Sequence, residues 1–312
     1  MSTRPFDWRD LPALHRVRDQ CVFLNNILVL TNGAFFAPAG ALLSLLTPAR
    51  GVFTCLNETC EGKPSEGKPS VLFGQVTHTP GYLSAYLSFL TPQAALNAPG
   101  ITELVEQMAV QVGERGALHI LAEADEQTEI FELLRQAGFG IYARQRIWKG
   151  SDGPTPKKLP GLRRAVMGRD LASVKFLYAN LVPGLVQQVE PPPANQMRGM
   201  VYYRGNDLLA YVEIKYGPRG IWVQPFIHPD AEDVVEPMFL FLKDLPNRGS
   251  RPVYICVRSY QSWLEAALEK SGAQPGPSQG VMVRHLARRI AQTYGALARE
   301  AATQEPTVPV AH

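Results

Sequence analysis

The sequence predicts a mixed α/β fold made twice, two α+β units of similar architecture in tandem. Three observations predict it. The chain has 312 residues, enough for two separate cores at roughly 100 to 200 residues per domain. Segments of helical and strand periodicity follow one another in the same order in both halves. Short phrases also recur in that order, the signature of a duplicated unit. The longest is a helical segment that ends in glycine and runs into a strand carrying one arginine. It reads Glu129 to Phe139 and then Ile141 to Arg144, and returns as Trp263 to Ala273 and then Val281 to Arg284. Arg9-Asp10-Leu11 returns as Arg169-Asp170-Leu171, and Phe89-Leu90-Thr91-Pro92 as Phe226-Ile227-His228-Pro229.

The first unit opens with a short strand at Arg4-Pro5-Phe6 and a helix from Asp10, with Leu11, Leu14 and Val17 at helical spacing. Gln20 to Ala49 carries no charge and reads as an apolar helix-loop-helix, broken by Asn25, Asn26, Asn32, Gly33 and Pro38. Strands follow at 51–56, 71–76 and 83–89. The first two are joined by the tandem pentapeptide Glu61 to Ser65 and Glu66 to Ser70, whose Gly, Pro and polar residues predict a mobile hairpin loop. A helix from Ile101 places Leu104, Val105, Met108 and Val112 on one face. A strand at 118–122, a helix capped by Asp125 and stopped by Gly138, and a strand at 140–148 complete the unit.

Gly150, Gly153, Pro154 and Pro156 mark a linker. The second unit repeats the order. Strand 162–166 leads to a helix from Asp170, three strands at 199–203, 208–216 and 221–227, and a helix from Ala231. Strand 252–257, a helix from Gln261 and a strand at 281–286 finish it. Pro191-Pro192-Pro193 reads as a stiff spacer. The expected organisation is residues 1–149, a linker at 150–159, residues 160–288, and a last helix turn with a disordered tail at 289–312.

Composition bounds the function. With 31 basic and 28 acidic residues the net charge is +3, and no Lys/Arg stripe with interleaved aromatics marks a nucleic-acid surface. Cysteines 21, 55, 60 and 256 lack the spacing of a zinc or redox site, so free thiols in a cytoplasm are expected, with Cys55 and Cys60 near enough in sequence to be bridged on oxidation. The six histidines are scattered without ligand spacing, and no metal is expected. The N-terminal charges exclude a signal-peptide layout, and the Asn, Gly and Pro residues within 20–49 argue against a membrane span.

The run Leu134-Arg135-Gln136-Ala137-Gly138-Phe139 with Tyr142-Ala143-Arg144-Gln145-Arg146, and the phrase Ile227-His228-Pro229-Asp230, resemble the GCN5-related N-acetyltransferase family. The resemblance covers 1–149 and 160–288. It implies acetyl-CoA or another acyl-CoA as co-substrate and a small-molecule or peptide amine as acceptor. In that family a loop of pattern Arg/Gln-x-x-Gly-x-Gly/Ala after the fourth strand offers backbone N–H groups to the pyrophosphate at a helix N-terminus. The second unit has no glycine there. Asp230, Glu232, Asp233 and Glu236 would repel the anion, so that unit is expected to bind no coenzyme A.

In the first unit the matching positions are Leu90, Thr91, Gln93, Ala95, Ala98 and Gly100. They fit the pattern in two registers, either with Leu96 in place of the central glycine or with Ala95 in place of the arginine. A small-residue turn entering a helix and a working acyl-CoA cradle both satisfy this sequence. The family's proton-donating tyrosine is replaced by Leu134 and Leu268, and leucine gives no proton. Glu123 and Tyr142 are the remaining catalytic candidates, with Asp125 and Tyr260 beside them. Two functions follow from the resemblance: an N-acyltransferase working through its first unit, or a pseudoenzyme that keeps the fold as a binding or interaction module. A first-unit sheet whose fourth and fifth strands splay apart would leave room for the pantetheine arm.

Overall fold

The computed structural model describes residues 2–34, 51–59, 70–151, 160–192, 197–242, 245 and 247–286. The first half contributes β1 (Ser2–Pro5), α1 (Leu11–Val17), β2 (Val22–Phe23), α2 (Asn26–Asn32), β3 (Val52–Thr59), β4 (Ser70–His78), β5 (Ser84–Thr91), α3 (Ala98–Gly113), β6 (His119–Asp125), α4 (Glu129–Gln136) and β7 (Gly140–Lys149). The second half contributes β8 (Leu162–Arg164), α5 (Met167–Leu181), α6 (Gly184–Val189), β9 (Gly199–Arg204), β10 (Asp207–Tyr216), β11 (Ile221–Ile227), α7 (Glu232–Leu242), β12 (Val253–Arg258), α8 (Glu265–Lys270) and β13 (Gln274–His285). The predicted mixed α/β architecture is the observed one.

The sheet is continuous through both halves, in the order β1-β3-β4-β5-β6-β13-β7-β12-β11-β10-β9-β8. β6 and β7 are consecutive in the chain but not neighbours in space. β13 lies between them and is antiparallel to both, with Val283 opposite Leu121 and Val281 opposite Ala143. β7 in turn pairs with β12, Ile255 facing Trp148. Each half therefore lends its last strand to the other. The cores record the exchange: Met282 of β13 packs with Leu104, Met108 and Leu134 of the first half, and Trp148 of β7 packs with Val235, Phe239 and Leu268 of the second.

The sequence echoes have physical causes. Gly138 and Gly272 adopt φ of 86° and 77°, the left-handed conformation that closes a helix and is nearly free of cost only for glycine. Around them the same two bonds form, Gly138 N–H to Arg135 O with Phe139 N–H to Leu134 O, and Gly272 N–H to Glu269 O with Ala273 N–H to Leu268 O. The aspartate of the Arg-Asp-Leu phrase forms an ion pair with an arginine upstream of the phrase. Arg4 of β1 donates from both terminal nitrogens to Asp10 at 2.8 Å, as Arg163 of β8 does to Asp170 at 2.7 and 2.6 Å.

Several boundaries differ from the sequence reading. Residues 22–23 form a strand, not part of a helical pair, because they pair with Leu90 and Phe89. α3 begins at Ala98 rather than Ile101, since Asn97 caps it and Pro99 fits its first turn. α4 is entered through Thr128, while Asp125 binds the Gln127 amide in the preceding turn. α5 starts at Met167, three residues ahead of Asp170. Before α8 a 3-10 turn spans Ser259–Leu264, and α6 has no counterpart in the reading. β13 begins at Gln274 rather than Val281, its early residues facing Trp148 and Lys149. The tandem pentapeptide apart from Ser70, Cys60, linker residues 152–159, Pro193 and the tail beyond 286 lie outside the described residues.

Candidate functional site

The fourth and fifth strands expected for the first half, at 83–89 and 118–122, are β5 and β6. They run parallel and pair from Ser84 opposite His119 to Tyr86 opposite Leu121. Beyond these residues they part. The gap is taken by the chain itself: Val22 and Phe23 pair with Leu90 and Phe89, and Leu24 N–H donates to Ser88 O at 3.0 Å. Leu24 O then accepts from Glu123 N–H at 2.9 Å, so one buried residue bridges both strand edges. Asn26 locks the segment, donating from its backbone at 2.8 Å and its side chain at 2.7 Å to Glu123 Oε2.

The six positions matched to the cradle gather where β5 passes into α3. Leu90 and Thr91 are fully buried, and Thr91 Oγ1 donates to Val17 O at 2.8 Å. The peptide bond between Thr91 and Pro92 is cis. Gln93 and Ala95 lie in a 3-10 turn, and Ala95 packs against the first-half core. Four amides of this turn are bonded within it. Ala95 N–H donates to Pro92 O, Leu96 N–H to Gln93 O and Ile101 N–H to Asn97 O. Gly100 N–H donates to Asn97 Oδ1 at 2.8 Å, and Pro99 has no N–H. A helix N-terminus holds an anion only through donors its own cap leaves free. A Cβ at Gly100 would stand 3.0 Å from Asn97 Oδ1 and 3.4 Å from Leu72, so close packing is reason enough for the glycine.

The equivalent place in the second half is closed as well. β11 and β12 pair only from Ile221 opposite Val253 to Val223 opposite Ile255. Past that point the buried Gln261 side chain donates to Ile227 O at 3.0 Å. Arg204 covers the following turn, with bonds to Asp230 O at 3.0 Å and Asp233 Oδ1 at 2.6 Å.

Glu123 and Tyr142 belong to a buried charged centre where the halves meet. Arg258, 6% exposed at the end of β12, donates from Nη2 to Glu190 Oε1 at 2.7 Å. Tyr142 donates its hydroxyl to the same oxygen in a very short bond, and Tyr178 Oη donates to Glu190 O at 2.5 Å. The remaining Arg258 nitrogens, Nε and Nη1, are buried without an acceptor among the described residues. A polar chain extends the centre: Asn26 and Gln145 both donate to Gln279 Oε1, and Cys256 Sγ donates to Gln145 Oε1.

Burial pushes the Glu123 carboxyl up, against the bonds from Asn26 and the charge of Arg258. Burial and the neighbouring Glu190 carboxylate push the Tyr142 phenol well up, and burial does the same to Tyr260. Both phenols are thereby kept protonated at neutral pH, and that of Tyr142 donates to Glu190. Leu134 and Leu268 are fully buried core residues. Glu190 and Arg258 escaped the sequence reading. Arg258 does carry a legible signal, one charge closing the run Val253 to Val257.

No family model and no curated protein matches the sequence. Solved structures do match the fold. The chain is similar to a GCN5-related N-acetyltransferase from Sphaerobacter thermophilus, at 12% identity and a TM-score of 0.53 over 91% of this chain and 95% of that one. A tandem GNAT protein from the clavulanic acid biosynthesis pathway aligns at 13% identity and a TM-score of 0.49, over 92% and 98% of the two chains. The fold is that of the GCN5-related N-acetyltransferases. Among the described residues no helix is long and apolar enough to cross a membrane, and no His, Cys, Asp and Glu group has metal-binding geometry.

Proposed function

We propose that this chain is a pseudoenzyme of acetyltransferase fold, a binding or interaction module that no longer draws on acyl-CoA. One observation carries the reading: residues 22–26 bond both strand edges of the first-half gap, while in the turn at 92–101 the Ala95, Leu96, Gly100 and Ile101 amides are bonded internally. A pantetheine arm would have to displace Leu24 and break the Asn26 bonds to a buried carboxylate, and bonds to charged groups are worth about 1.5 to 3 kcal/mol each. The free thiols of Cys21, Cys55 and Cys256 support a cytoplasmic setting.

A second reading, an N-acyltransferase that moves an acetyl or acyl group from acyl-CoA to a small-molecule or peptide amine through the first half, is favoured by the parting of β5 and β6 after Tyr86 and Leu121. Calorimetric titration of the full chain with acetyl-CoA separates the two. No heat of binding up to millimolar ligand is expected. Binding that is lost in Gly100→Glu, or in the exposed Gln93→Glu should the first variant fail to fold, would restore the acyltransferase reading.

A further inference from the structure

A cavity of about 530 Å³ opens on the second half between β8, β9 and β10, Leu245 and the segment at 247–251. That size suits a small organic molecule. Its floor is apolar: Met200, Ile214 and Leu245, the last two 3% and 2% exposed. Its walls are cationic. Arg164 closes β8 opposite Met200, Arg198 precedes β9 and accepts from Ile214 N–H through its carbonyl at 2.9 Å, and both side chains lie in solvent around the mouth.

The third arginine, Arg251, is held rigidly. Its Nε donates to Arg248 O and its Nη1 to Gly217 O, each at 2.8 Å, and Nη2 donates to Asn247 O. Its guanidinium lies 5.7 Å from the Tyr216 ring centroid at the rim. Among the described residues its hydrogen-bond partners are neutral carbonyls, which position its charge without balancing it. Arg164 and Arg198 form no ion pair among the described residues, and no Asp or Glu among those residues lines the cavity. Three like charges around one apolar floor focus a positive potential into a recess where an anion gains more than in bulk water. Arginine forks also match carboxylate and phosphate oxygens.

We propose that this cavity binds an organic anion, an acidic head group on an apolar body, with Arg164 and Arg198 closing on the head and Met200, Ile214 and Leu245 receiving the body. It is separate from the place the fold reserves for coenzyme A. That place follows β11, where His228 N–H bonds Leu209 O near the start of β10, and the cavity lies at Tyr216, the other end of the same strand. The inference holds whichever reading of the first-half gap is correct.

The test is calorimetric titration of the full chain with decanoate and decyl phosphate, against decylammonium, decanol and inorganic phosphate. The two anions should bind, their ranking identifying the head group as carboxylate or phosphate, and all three controls should bind at least tenfold more weakly. The Arg164→Ala/Arg198→Ala variant, both positions exposed, should keep the wild-type circular dichroism spectrum and lose at least tenfold in affinity for the anions. Equal affinity for decylammonium, unchanged affinity in the variant, or no binding of either anion at millimolar concentration overturns the proposal. Inorganic phosphate binding as tightly as decyl phosphate removes the role given to the apolar floor.

Discussion

Asp170 has no exposed surface, and its carboxylate accepts from Arg163 twice, from Val166 N–H at 2.8 Å and from Tyr203 Oη at 3.1 Å. The Arg163 guanidinium and these donors hold its pKa well below the usual carboxylate range. A depressed carboxylate stabilises the fold above its unfolded pKa, and that stability is lost as pH falls below about 4 toward the folded value. Asp170→Asn should therefore lower the unfolding free energy at pH 7 by about 3 kcal/mol in urea, the scale of a broken buried pair. The gap between variant and wild type should narrow on acidification below about pH 4. Glu123 has the opposite sign. Burial raises its pKa, so the charged form is tolerated rather than favoured, and its contribution weakens as pH rises through the folded value. Glu123→Gln keeps an oxygen for both Asn26 bonds without the charge. It should be at least as stable as wild type at pH 8 by its urea midpoint, with the difference fading toward pH 4. A large loss at pH 8 would mean that the negative charge, through Arg258, is what holds the centre.

Local signals carried most elements and missed those defined by distant partners. β10 and β11 read correctly because strand length and β-branched content are properties of one segment, and α4 and α8 ended where glycine had to take a left-handed conformation. β2 is two residues long and exists only because Phe89 and Leu90 present an unpaired edge; no period can be counted in two residues. The same blindness shaped the reading of Gln93 to Gly100. Small uncharged residues before a helix suit a phosphate cradle and a tightly packed cap equally well, and only the Asn97 bond to Gly100 N–H distinguishes them. The buried centre was hidden for a related reason. Glu190 follows α6 and Tyr142 lies on β7, in different halves of the chain, and their meeting depends on an exchange of strands that no spacing records.

At the scale of the molecule that exchange changes what the duplication means. Two independent copies would each close a sheet and a core, and either could be removed without harm to the other. Here β6 and β7 never touch without β13 between them, and β12 has β7 as the partner on its inner edge. Met282 fills the first core and Trp148 the second, and losing a large side chain from a packed core costs about 3 to 5 kcal/mol. Withdrawing a whole strand also leaves ladder N–H and C=O groups without partners on both of its neighbours. A half on its own should thus fall short of the roughly 5 to 15 kcal/mol that keeps a domain folded. The chain should unfold in one calorimetric transition, with the van't Hoff and calorimetric enthalpies equal. Expressed separately, residues 1–151 and 160–312 should each lack a cooperative transition, and mixing them should restore the far-ultraviolet spectrum of the intact chain at a rate that depends on concentration. Two resolved transitions in the intact protein, or a half that folds cooperatively alone, would show that the exchanged strands decorate two self-sufficient cores rather than complete them.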